Sequence, residues 1–202
     1  MNNKVFAILI SGKAGSGKTT FSNIIGEYIE SFDNSLSVIY APYALWLKSV
    51  AKSMGWDGVK DIRGRRLLQD IGKVGRDYDP DTWVKQMFNY LVCDKLMALP
   101  NSTHILLVDD FRFPNEYTAL DSELARNSHI TSYKIETIRI ETVNIKPILD
   151  SSCINDVSET SLDNWENFTH KVFRIATSNL VTYKTFFVEK ILPSIKEFNG
   201  RK

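Results

Sequence analysis

Residues 12–20 read GKAGSGKTT and fit the pattern G-x-x-x-x-G-K-[ST], with Gly12, Gly17, Lys18 and Thr19 in the fixed places. The chemistry this suits is anion binding. Backbone N–H groups from Lys13 through Ala14, Gly15 and Ser16 to Thr19 and Thr20 can turn inward around a polyphosphate only where glycines relieve side-chain clashes. The N-terminus of a following helix adds positive partial charge. Lys18 would then reach the β- and γ-phosphates of ATP, and the Thr19 hydroxyl would ligate Mg²⁺. Such a site needs an acid at the end of a neighbouring strand, facing the metal. The stretch ILLVDDFRFPNE supplies Asp109 and Asp110, with Arg112 just beyond at the carboxyl edge where open α/β sheets place their ligands. The plainer alternatives are acids that only terminate a strand, and an Arg112 ion pair with Asp110 or Glu116.

A third group lies between the second strand and the Asp109 strand: Arg63, Arg65, Arg66, Lys73 and Arg76. A triphosphate and a phosphorylated acceptor repel each other, and the planar arginine fork neutralises phosphate oxygens in pairs. Gln69 and Trp83, close in sequence, offer contacts for a base edge and a base face. The alternative is a solvated basic face on short helices. A guanine-reading N-K-x-D is missing, and the D-x-x-G match at Asp61–Gly64 follows no apolar strand. An AAA-type ATPase would need a longer core with a helical lid domain. Transfer to a small phosphorylated acceptor is the reading that remains, with a slow regulatory or assembly ATPase as its rival.

The elements that must position these groups alternate. Val5–Ile10 is predicted as a buried strand, followed by the loop and an amphipathic helix from about Gly17 to Ser31. Ser37–Ala41 reads as a second strand, and Pro42 opens a helix that GWDG ends after Met54. Gly64–Ile71 reads as a short helix. Asp79 is expected to cap, and Pro80 to open, a helix running to about Ala98. His104–Val108 and Lys134–Glu141 read as strands on either side of a Pro114–Arg126 helix. Lys171–Ile175 is a last strand, and Asn179–Phe198 a closing helix whose aromatic run is expected in the core. Alternation of this kind implies a three-layer α/β/α fold with a parallel sheet of about five strands. Thr142–Phe168 is polar and long for a connector, so it is expected to be a lid-like insertion in a single 1–202 domain.

With 25 basic and 24 acidic residues the net charge is +1, so no global basic field recommends nucleic acid as a partner. Cys93 and Cys153 form no C-x-x-C unit and read as free thiols of a reducing cytoplasm. The only apolar run near the N-terminus is short and leads into the glycine loop, so neither a signal peptide nor a membrane anchor is expected. His104, His129 and His170 lack metal-binding spacing and are expected at the surface or at strand edges. A homodimer is an open expectation.

Three longer stretches, APYALWLKSVAKSMGWDGVKDIRGRRLLQDIGKVGRDYDPDTWV, VDDFRFPNE and VSETSLDN, together resemble the bacteriophage-type deoxynucleoside monophosphate kinases, a branch of the adenylate-kinase-like phosphate-loop kinases. The resemblance spans most of the chain. It implies an acceptor segment at about 42–98 carrying Arg65, Gln69, Arg76 and Trp83. Asp110 is implied as the strand-end acid, Arg112 as a phosphate-reading arginine, and Ser158 and Glu159 as lid residues, with Glu159 near the acceptor. ATP, Mg²⁺ and a small phosphorylated acceptor are the implied ligands. Two departures stand out: Asp156 replaces the histidine that relatives often carry two residues before the serine, and residues 142–168 contain no arginine. Arg112 or Arg76, or else Arg139, must then serve beside Lys18 in the transition state.

Overall fold

Near-continuous apolar sequence from Asn3 to Gly12 forms β1, which is flanked by parallel neighbours on both sides and buried on both faces. The computed structural model describes residues 2–143, 156–175 and 179–200. After β1 come α1 (Lys18–Phe32), β2 (Leu36–Tyr40), α2 (Ala44–Ser53) and α3 (Ile62–Tyr78). The chain continues as α4 (Thr82–Met87), a π-helical turn (Phe88–Val92) and α5 (Cys93–Ala98). β3 (Thr103–Val108), α6 (Pro114–Arg126), β4 (Ile130–Val143), α7 (Val157–Thr160) and β5 (His170–Ile175) follow. The chain closes with α8 (Asn179–Phe186), a second π-helical turn (Phe187–Ile191) and α9 (Leu192–Phe198).

The sheet has five strands in the order β2-β3-β1-β4-β5, every pair parallel. Alternation along β1 divides the core into two layers. Val5, Ala7 and Leu9 face Met87, Phe88 and Leu120, while Phe6, Ile8 and Ile10 face Phe21, Ile25 and the closing aromatics Tyr183 and Phe187. This is the three-layer α/β P-loop NTPase fold that the alternation implies. The chain leaves β1 for β2 on one side, and leaves β3 for β4 on the other. The carboxyl ends of β1 and β3 therefore flank the switch point where such sheets bind ligands.

Several local expectations change. The helix read as Gly64–Ile71 begins at Ile62, capped by the Asp61 side chain on Gly64 N, and runs on to Tyr78. Asp79 consequently closes α3 instead of opening the next helix. Its carboxylate accepts from Asp81 N at 3.0 Å and pairs with Lys85 at 2.7 Å, and α4 starts at Thr82, beyond Pro80. β4 is also longer than Lys134–Glu141, because its first residues pair with β1. The lid-like stretch is only partly open to description, since 144–155 lie outside the described residues. Its second half is packed: Leu162 is buried, and the Trp165 ring meets Phe111 at 5.2 Å and Phe168 at 4.6 Å. Cys153 likewise lies outside the described residues, while Cys93 is a free, half-buried thiol. His104 is a buried β3 residue bonded to Leu99 O at 3.1 Å, not a surface one. Among the described residues no helix is long and apolar enough to cross a membrane.

Candidate active site

The loop between β1 and α1 wraps the start of α1. A Cβ on Gly12 would come within 2.7 Å of Ile140 O and 2.5 Å of Ser16 Oγ, and the position has φ +152°, so only glycine fits this turn. Lys18 folds back over the loop and donates to Gly12 O at 2.6 Å and Lys13 O at 2.9 Å. Lys13 points the other way, to Glu159 O and Asp163 Oδ2, each at 2.6 Å. Thr19 Oγ1 donates to Asp109 Oδ2 at 2.6 Å.

That last bond corrects the expected register at the end of β3. Asp109 is the acid that meets Thr19. Asp110 turns away and accepts from Tyr43 N at 2.8 Å and Ala44 N at 2.9 Å, holding the start of α2. Two hard oxygen donors, the Thr19 hydroxyl and the Asp109 carboxylate, suit Mg²⁺, which takes most of its shell from phosphates and water. Among the described residues no group of three His, Cys, Asp or Glu side chains could hold a metal by itself.

Beside the loop, between α2, α3 and the turn after β3, lies a cleft. Its walls include Arg65, Gln69, Arg76, Trp83, Arg112 and Glu159. On α3, Arg65, Gln69, Gly72 and Arg76 recur at helical spacing and share the cleft-facing side, while Arg63, Arg66 and Lys73 are exposed and do not line it. The Trp83 indole lies against Gly75, where a Cβ would come within 2.4 Å of the ring, and its Nε1 donates to Gly72 O at 3.1 Å. Arg76 stacks on Phe113, 4.2 Å from the ring centroid. Lys48 and Lys60 also line the cleft, and sequence reasoning missed both. Lys48 borders the buried residues Leu47 and Ala51 of α2, and a lysine at the margin of an apolar stripe was the available signal. Arg139 is engaged elsewhere: it is buried, pairs with Asp163 at 2.9 Å and donates to Ser11 Oγ at 3.1 Å.

Loop and cleft share one wall. Glu159 accepts from Ala14 N at 2.9 Å with one oxygen and pairs with Arg112 through the other, and Arg112 also donates to Ser158 O at 2.9 Å. The expected partner acids of Arg112, Asp110 and Glu116, are not the ones its side chain grips. Glu116 takes the Arg112 backbone N–H instead, at 2.8 Å.

Residues 1–149 match the model of the KAP family P-loop domain. The chain belongs to the KAP family of P-loop NTPase domains. No curated protein matches it. Among solved structures, it is similar to thymidylate kinase from Ehrlichia chaffeensis at 15% identity, over 95% of this chain and 99% of that one, with a TM-score of 0.45. Similarity at 12% identity extends to a fungal RNA kinase, covering 96% and 90% of the two chains with a TM-score of 0.43. The APS kinase CysC of Mycobacterium tuberculosis follows at 9% identity, 91% and 94% coverage and a TM-score of 0.40.

Electrostatics in this KAP-family site are set by burial. Burial, with the Arg112 charge, brings the Lys18 ammonium down to about 8. Burial also works against the Arg112 charge, but Glu159, Asp110 and Glu116 together outweigh it and hold the guanidinium protonated. Glu116 is a strongly displaced acid. Burial pushes it up to about 8, against backbone N–H bonds from Arg112 and Phe113 that favour its charged form. The stability consequence has a definite sign. An acid whose pKa is raised on folding binds its proton more tightly in the native state, so stability falls as pH rises from about 4.5 towards 8. The slope approaches about 1.4 kcal/mol per pH unit in that window. Glu116→Gln keeps the acceptor oxygen and removes the titration. Urea unfolding at pH 5 and pH 8 is expected to show the wild type losing stability between them and the variant losing little of it.

Proposed function

We propose that this protein transfers the γ-phosphoryl group of ATP to a nucleoside monophosphate, a deoxynucleotide in particular, giving the diphosphate and ADP. The observation that carries this reading is the shared wall. A cleft with Arg65, Arg76, Lys48 and Lys60 along it meets the phosphate loop at Glu159 and Arg112. Among the described residues none of those four cations has a carboxylate partner within salt-bridge distance, in a chain whose net charge is only +1. Clustered cations without salt-bridge partners are costly unless an anion joins them, and a phosphorylated acceptor is such an anion.

The chemistry asks for no general base. The attacking atom is an acceptor phosphate oxyanion, the bond that forms joins it to the γ-phosphorus, and the bond that breaks releases ADP. Lys18 neutralises the triphosphate, and Arg65, Arg76 and Arg112 neutralise the acceptor and transferring groups, so catalysis is positioning plus charge compensation. Magnesium, held by Thr19 and Asp109, would draw charge from the β- and γ-oxygens when bound. Gln69 supplies the amide for a base edge. Trp83 has its N–H tied to Gly72 O, which leaves its ring and not its edge for contact.

Arg65→Ala and Arg76→Ala test the division of labour. Each is expected to weaken acceptor use by roughly 2–5 kcal/mol, the usual cost of stranding a buried charge partner. ATP binding by calorimetry should change little, and lysine replacements should rescue only in part, since they restore charge without the fork. Equal loss of ATP binding would put both arginines around the triphosphate instead. The family match favours a second reading, an NTPase that releases ADP without any acceptor. Phosphomevalonate and sugar phosphates are the alternative acceptors. ADP release measured with each nucleoside and deoxynucleoside monophosphate, and with these alternatives, separates the readings.

A further inference from the structure

Glu159 holds two groups that the proposed reaction needs elsewhere. Its Oε2 takes the backbone N–H of Ala14, in the outer part of the phosphate loop, at 2.9 Å, and its Oε1 takes the Arg112 guanidinium. The carboxylate is nearly sealed, with 6% of its side chain exposed. The turn that carries it is clamped on both sides. Asp156 accepts from Ser158 N at 2.8 Å, Lys13 reaches Glu159 O at 2.6 Å, and Asp163 joins Lys13 to Arg139. A loop N–H and a guanidinium converging on a pair of anionic oxygens form the arrangement that a terminal phosphate would claim.

We propose that Glu159 is a built-in competitor for the terminal phosphate of the triphosphate, releasing Ala14 N and Arg112 to the substrate when that phosphate displaces it. The inference rests on the nucleotide-site reading above and adds a discrimination to it. A diphosphate lacks the group that competes with Glu159, so the carboxylate lowers affinity for the triphosphate and leaves the diphosphate nearly untouched. It also ties release of Arg112, on the acceptor wall, to arrival of a transferable phosphoryl group. If the carboxylate is seated in about nine molecules of ten, apparent triphosphate affinity falls on the order of tenfold.

The test is calorimetric binding of ADP and of the β,γ-imido analogue of ATP, both with Mg²⁺, to the wild type, Glu159→Gln and Glu159→Asp. Glu159→Gln keeps the shape and loses the charge, and is expected to bind the imido analogue about tenfold more tightly with ADP affinity within about twofold of wild type. Glu159→Asp keeps the charge one methylene short of Ala14 N and should raise the same ratio by less. If circular dichroism shows the glutamine variant misfolded, the aspartate variant decides alone. A parallel change for both nucleotides, or weaker binding of the imido analogue, overturns the proposal and leaves Glu159 a structural tie. Failure of the wild type to bind either nucleotide would instead overturn the nucleotide site itself.

Discussion

Lys18→Ala should cut phosphoryl transfer by about 100- to 1,000-fold or more while the protein stays folded. Lys18 lies at the mouth of the loop, where it bonds the carbonyls of Gly12 and Lys13, and it fills no place in either apolar core. Its burial works against its charge, as the drop to about 8 records, so removing it relieves a desolvation penalty even as two hydrogen bonds are lost. Thermal melting near the wild-type value together with collapsed turnover is the expected pair of results. Near-normal turnover would mean that the loop is not where the triphosphate is held.

Asp109→Asn is expected to act on the metal. Asp109 is the acid bonded to Thr19, so removing its charge should weaken the Mg²⁺ requirement's anchor, raise the Mg²⁺ concentration for half-maximal activity and lower the maximal rate by about 10- to 100-fold. Asp110→Asn should act on the fold instead. Its carboxylate holds two N–H groups at the start of α2, and an amide oxygen replaces that acceptance only in part, a loss of about 1 kcal/mol. A magnesium titration of both variants beside a denaturant curve ranks them. The opposite ranking would make Asp110 the metal-facing acid and return the strand end to the register that the resemblance implies.

Much of this arrangement was legible because periodicity reports faces. The apolar run of β1 and the glycines after it say which side of each element is in use, whereas Arg65, Gln69 and Arg76 came from the resemblance, because the helix read as Gly64–Ile71 stops short of Arg76. What escaped was settled by partners distant in sequence. Asp109 and Asp110 are adjacent, and only the backbone N–H groups of Tyr43 and Ala44 decide which one turns away. Asp79 has the composition of a helix start, yet α3 reaches it first and uses it as its end. Thr142–Phe168 reads as a lid-like insertion because it is polar and long for a connector, but among its described residues Leu162 belongs to the core and Trp165 and Phe168 pack against it. The grip of Glu159 on Ala14 and Arg112 bridges residues 145 and 47 positions apart, beyond any local pattern.

On the proposed function, an acceptor held in the cleft beside the loop receives the phosphoryl group. ATP labelled at the γ-phosphorus, incubated with Mg²⁺ and each nucleoside or deoxynucleoside monophosphate in turn, tests it most directly. Label is expected in a nucleoside diphosphate, in amounts equal to the ADP released, and is expected to be lost in Arg65→Ala and Arg76→Ala. Label appearing only as inorganic phosphate, at a rate indifferent to every acceptor, would contradict it.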